Sequence, residues 1–95
     1  MLTHIVSFKY KAETADAERK DHRAQLRGLA RLPGVVELKV GEDVVHSARS
    51  YDTGLVVIFT DRAALDVYQK DPRHVPVAQL GVRLSEHIVA VDFEG

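Results

Sequence analysis

Five consecutive residues, Leu55-Val56-Val57-Ile58-Phe59, are apolar. So short a run, opened by Gly54 and followed by Asp61, reads as a β-strand that is apolar on both faces, as in a doubly buried sheet. Whatever this chain folds into must cover that sheet on both sides.

The other segments limit what can supply the cover. Leu2 to Lys9 alternates as a strand, with Leu2, His4, Val6, Phe8 and Tyr10 on one face and Thr3, Ile5, Ser7 and Lys9 on the other. A helix is expected from an N-cap at Thr14 to about Arg31, with Asp16 and Glu18 favoured by the helix dipole and an inward stripe of His22, Leu26, Leu29 and Ala30. Pro33-Gly34 ends it. Val35 to Val40 is a second strand, with Val36, Leu38 and Val40 on one face, and residues 41–50 form a polar loop. The third strand runs from Tyr51 to Phe59. Asp61 caps a helix over Arg62 to Lys70, whose inner face is Ala64, Leu65 and Tyr68. A further helix runs from about Pro76 to Leu84, and His87 to Phe93 is the last strand. The order β-α-β-β-α-β predicts an α+β, ferredoxin-like chain forming one domain over residues 1–95, with a four-stranded antiparallel sheet and its helices on one face. The other face would then expose Ile5, Val56, Ile58, Ile88 and Ala90. A contiguous apolar patch of that kind marks an interface, so a homodimer packed sheet to sheet is expected.

Composition narrows the function. Net charge is −1 with a pI near 6.5 and no basic stripe, which speaks against nucleic acid and anionic membranes as partners. Cysteine is absent, so thiol chemistry is excluded. No signal-peptide pattern opens the chain, and a cytoplasmic location is expected. No two histidines have HxH or HxxxH spacing and no Gly-rich phosphate loop is present, so neither a metal nor another cofactor is expected.

The chemistry-bearing stretch is Tyr68-Gln69-Lys70-Asp71-Pro72-Arg73-His74. On an unbroken helix, residues six apart would sit about 120° apart around the axis. Pro72 breaks the helix and biases Asp71 out of the α region. The bend lets the Tyr68 phenol and the His74 imidazole converge. An imidazole titrates near pH 7 and suits a general base; a phenol suits hydrogen bonding. Tyr68 is expected to orient His74 through a hydrogen bond, with His4 holding a carbonyl or carboxylate and Leu65, Val6, Phe8 and Val91 as apolar walls.

The chain also resembles the stress-responsive A/B-barrel family, the dimeric α+β barrels. The resemblance covers essentially the whole length. It rests on Thr3-His4-Ile5-Val6-Ser7-Phe8-Lys9, Pro33-Gly34-Val35, Tyr51-Asp52, Tyr68 followed by Asp71-Pro72-Arg73-His74, and Val91-Asp92-Phe93. It implies a homodimer with a pocket between each sheet and its own helices. It also implies, by similarity to plant polyketide cyclases, an aldol cyclase of a poly-β-keto ligand with His74 and Tyr68 catalytic. His4, Thr53, Tyr51, Leu65 and Phe8 would then contact the substrate. Thr53 stands where those cyclases place a histidine, and it cannot titrate near neutral pH. Two other classes remain open: a non-catalytic stress-response dimer that holds an apolar ligand or none, and a cofactor-free monooxygenase by analogy of fold.

Overall fold

The structure, a computed structural model, describes residues 1–95. Its elements are β1 (Leu2–Tyr10), α1 (Asp16–Gly28), β2 (Val35–Glu42), β3 (Thr53–Phe59), α2 (Arg62–Lys70), α3 (Val75–Leu84) and β4 (Ser85–Glu94). The strands form one antiparallel sheet in the order β2-β3-β1-β4. This is the ferredoxin-like arrangement. No helix is long and apolar enough to cross a membrane.

The helix-covered face holds the core. Leu2, Val6, Phe8 and Tyr10 of β1 and Leu55, Val57 and Phe59 of β3 are all buried there, against Leu26, Leu29, Leu65, Tyr68, Leu80 and Leu84. Strand pairing explains the shared face: His4 stands opposite Val57, Val6 opposite Leu55 and Phe8 opposite Thr53. Asp61 caps α2 by accepting a hydrogen bond from the Ala64 N–H at 2.8 Å. Pro76 sits in the first turn of α3, where its missing N–H costs nothing.

Several local expectations are corrected. The first helix is capped at Ala15, whose N–H donates to Glu18 at 3.1 Å. Thr14 instead donates from its hydroxyl to the Leu84 carbonyl, tying the loop to the end of α3. Leu29–Arg31 continues α1 as a single 3-10 turn. That tighter winding leaves Ala30 exposed and turns Leu32 into the core. Val36 does not share a face with Leu38, because a bulge between Val35 and Glu37 turns it out to solvent.

The largest correction concerns β4. Its alternation is as expected, but its two faces are exchanged. Ile88 stands opposite Phe8, Ala90 opposite Val6 and Asp92 opposite His4, all on the helix side. Val89, Val91 and Phe93 stand opposite Ser7, Ile5 and Thr3 on the open side. A strand period of two defines two sets of residues without saying which is inward. The Asp92 carboxylate is accommodated inside because β4 is an edge strand and His4 donates to it from Nδ1. The open face is therefore Ile5, Val56 and Ile58 with Val89, Val91 and Phe93, the last three exposed by 52%, 54% and 46%.

Candidate functional site

The break after α2 is built by Asp71 and Arg73. Asp71 has left the helix, at φ −62° and ψ 132°. Its carboxylate accepts from the Arg73 backbone N–H at 2.8 Å and from the guanidinium at 3.0 and 2.9 Å. Those bonds hold the Asp71 carboxyl down at about 2. The His74 N–H donates to the Asp71 carbonyl at 2.9 Å, closing the turn. The chain thus reverses within three residues and returns His74 towards Tyr68.

The two side chains do meet, by stacking. Their ring centroids lie 4.5 Å apart at 46°. The expected Tyr68–His74 hydrogen bond is absent; the Tyr68 hydroxyl is buried without a partner. Burial pushes that phenol up to about 12. His74 uses Nδ1 to donate to the Gln69 carbonyl at 3.3 Å. A carbonyl only accepts, so Nδ1 carries the proton and Nε2 has the lone pair. Burial lowers the His74 imidazole below its ordinary range; the Gln69 carbonyl opposes this, and a charge on His4 would add to it.

A cavity of about 210 Å³ lies between the sheet and the helices, with His4 and His74 in its wall. The rest of the wall is mainly apolar: Val6, Phe8 and Leu55 from the sheet, Leu26 from α1, Val77, Ala78 and Val82 from α3, and Ile88 from β4. His4, Phe8 and His74 are thus brought together as the sequence predicts. Tyr68 and Leu65 stand behind the wall in the core, 1% and 4% exposed. Tyr68 holds the site from there, with Phe59 at 4.9 Å and His4 at 6.4 Å between centroids. Val91, expected as a wall, is on the opposite face of the sheet.

Thr53 and Tyr51 lie elsewhere. Tyr51 precedes β3 and lines an open cleft of about 560 Å³ with Ser7, Lys39 and Val56. Thr53 does face the helices, but it belongs to a second buried network. There it accepts from Arg23 at 3.1 Å and bonds the Tyr10 hydroxyl at 2.9 Å, which in turn meets His22 Nδ1 at 2.7 Å. His22 is wholly buried, and burial, with Arg23 second, lowers its imidazole to about 4.

Sequence reasoning missed Asp92. Its Oδ1 holds His4 Nδ1 across the β1–β4 pair. The signal was available in principle, since antiparallel register fixes the partner of His4 once the faces of β4 are known. No local motif carries it.

The comparisons agree with this fold. The sequence model of the Stress responsive A/B Barrel Domain matches residues 2–95. The chain belongs to this family. Among curated proteins none matches. A dimeric ferredoxin-like protein of unknown function from Jannaschia sp. CCS1 is 33% identical, over 99% of this barrel-family chain and 98% of its own, with a TM-score of 0.84. A second such dimer, from Thermobifida fusca YX, is 22% identical over 99% and 90% of the two chains, with a TM-score of 0.91. The hydroxynitrile lyase of Passiflora edulis is 21% identical over 97% and 90%, with a TM-score of 0.87. At these last two identities the likeness is one of fold.

Proposed function

We propose that this A/B-barrel protein is a cytoplasmic homodimeric enzyme that makes or breaks carbon–carbon bonds next to a carbonyl, as an aldol cyclase of a short poly-β-keto acid does. The observation that carries this is the pair of imidazoles, His4 and His74, in the wall of one apolar cavity. Carbon-acid chemistry needs a base that is neutral near pH 7 and a partner that handles the proton on oxygen. His74 is lowered by burial and keeps Nε2 free, which fits the base that works on carbon. Tyr68 acts through His74, as a packing support behind the ring.

Cavity size bounds the substrate. A dry cavity of about 150 Å³ takes benzene. The 210 Å³ here therefore suits one ring, or a chain folding into one ring, with short substituents. The same size favours a second reading, cleavage of an aromatic cyanohydrin, which the hydroxynitrile lyase of the same fold also suggests. Dimerisation through the open sheet face completes the proposal, supported by the description of similar folds as dimers and by the apolar row Ile5, Ile58, Val89 and Val91.

Benzaldehyde release tests both readings in one assay, from the aldol adduct of acetone and benzaldehyde and from mandelonitrile. Release from the first supports the aldol reading and from the second the cyanohydrin reading. His74→Ala should lower the active reaction by about 10²–10⁴-fold. Release from neither leaves a binding dimer.

A further inference from the structure

His4 enters the cavity from the middle of β1 and is only 6% exposed. The groups around its ring come from four elements. Asp92 of β4 holds Nδ1; Tyr68 of α2 stands 6.4 Å away edge-on; Phe59 of β3 is 6.2 Å away; His74, from the break before α3, shares the cavity wall. Asp92 supplies the only carboxylate among them. A carboxylate accepts and cannot donate, so His4 Nδ1 carries a proton, and in the neutral ring Nε2 then has the lone pair. Nε2 has no partner within the protein, yet it is not among the atoms sealed without one. It is open to whatever occupies the cavity.

We propose that Asp92 is a positioning residue that makes His4 the group handling the substrate's oxygen, an inference that rests on the carbon–carbon bond chemistry proposed above. In the cleavage direction, His4 Nε2 takes the proton of the substrate hydroxyl. The C–O bond becomes C=O, the neighbouring C–C bond breaks, and its electron pair stays on the departing enolate carbon. That carbon takes a proton from a water held at the His74 Nε2 lone pair, and the hydroxide left behind takes the proton from His4, so each turnover moves one proton from oxygen to carbon and returns both imidazoles to their starting state. With a cyanohydrin the departing group is cyanide, which leaves as hydrogen cyanide. Asp92 does two things in this sequence: it fixes the ring so that Nε2 points into the cavity, and it faces the imidazolium that exists between the two transfers. The carboxylate is 37% exposed on the edge strand, so its replacement leaves the core untouched.

The test is Asp92→Asn in the full chain. The Asn amide can donate to Nδ1, which would move the His4 proton to Nε2 and leave no lone pair in the cavity. NMR of protein labelled with ¹⁵N at histidine reads the tautomer directly. The wild type should show His4 protonated at Nδ1, and Asp92→Asn should show it at Nε2. Benzaldehyde release should fall by about 10²–10⁴-fold in kcat with little change in KM. Asp92→Glu, which restores an acceptor, should recover the wild-type tautomer and part of the rate. A wild-type His4 protonated at Nε2 overturns the inference, as does an inverted tautomer with unchanged kcat. If the wild type releases no benzaldehyde from either substrate, the reaction proposed for the pocket falls. The tautomer still decides whether Asp92 sets His4.

Discussion

His22 makes the sharpest residue-scale prediction. Its imidazole is lowered from 6.5 to about 4. Between those values the unfolded chain binds a proton that the folded chain refuses. The stability due to neutral His22 is therefore fully present above about pH 6.5 and is lost as pH falls towards 4, amounting to about 3 kcal/mol across that window. The melting temperature should fall steeply over the same range. His22→Gln keeps a polar partner for Tyr10 and removes the titration, so its curve should be flatter; equal slopes would exclude His22 as the cause. His74, also lowered, adds a smaller drop of the same sign, and activity that needs its neutral form should persist below the ordinary imidazole range. Tyr68 differs because its hydroxyl has no partner. Removing an unsatisfied buried hydroxyl costs little, so Tyr68→Phe should melt at or above the wild-type temperature and gain up to about 1 kcal/mol. Its activity should drop less than that of His74→Ala. A large loss of stability would show that the hydroxyl is satisfied in solution.

At the scale of elements, two helical glycines separate propensity from packing. Gly28 closes α1 at φ −62°, and a Cβ there would meet nothing within 4 Å. Gly28→Ala should stabilise the protein by up to about 1 kcal/mol. Gly81 is inside α3, where a Cβ would stand 3.1 Å from both His22 Nε2 and Phe8 Cε2. Neither neighbour retreats easily: His22 is pinned through Tyr10, and Phe8 is buried between sheet and helices. Gly81→Ala gains the same helix propensity but should lower stability overall, since overpacking a core costs about 1–3 kcal/mol. Urea denaturation of the two variants checks both signs. Gly34 is a third case: at φ +82°, with Ala64 Cβ 2.6 Å from where its own Cβ would be, the turn into β2 admits only glycine.

For the whole molecule the proposed assembly turns on the open sheet face. Helices cover one side of the sheet only, and the other presents Ile5, Val56, Ile58, Val89, Val91 and Phe93 as one apolar surface. Ile58→Glu and Val91→Glu should each convert the dimer to a monomer. Each buries an unpaired carboxylate, and loss of a well-buried Ile costs a further roughly 2–5 kcal/mol. Light scattering coupled to size exclusion reads the result. A wild-type monomer at micromolar concentration would remove the sheet-to-sheet assembly from consideration. Val91 is the more informative variant, since a pocket-facing Val91 would disturb the His4–His74 cavity and leave the dimer intact.

The sequence alone determined the element order, the faces of β1 and β3, the cap at Asp61 and the break at Asp71-Pro72. Each of these is written in local periodicity or in the backbone limits of one residue, so no distant contact is needed to read it. It also determined that Tyr68 and His74 would meet, because a proline bend leaves few alternatives. Tertiary structure alone decided which face of β4 turns inward, and with it the pairing of His4 with Asp92. Both sets of β4 side chains are largely apolar, and only register against β1 distinguishes them. It alone decided that Tyr68 stacks on His74 without bonding it, since ring orientation depends on Phe59 and His4 packing from other strands. It placed Thr53 with Tyr10, His22 and Arg23, away from the cavity, through contacts between residues 12 to 43 positions apart. Hydrogen bonds over such separations leave no periodic trace in the chain.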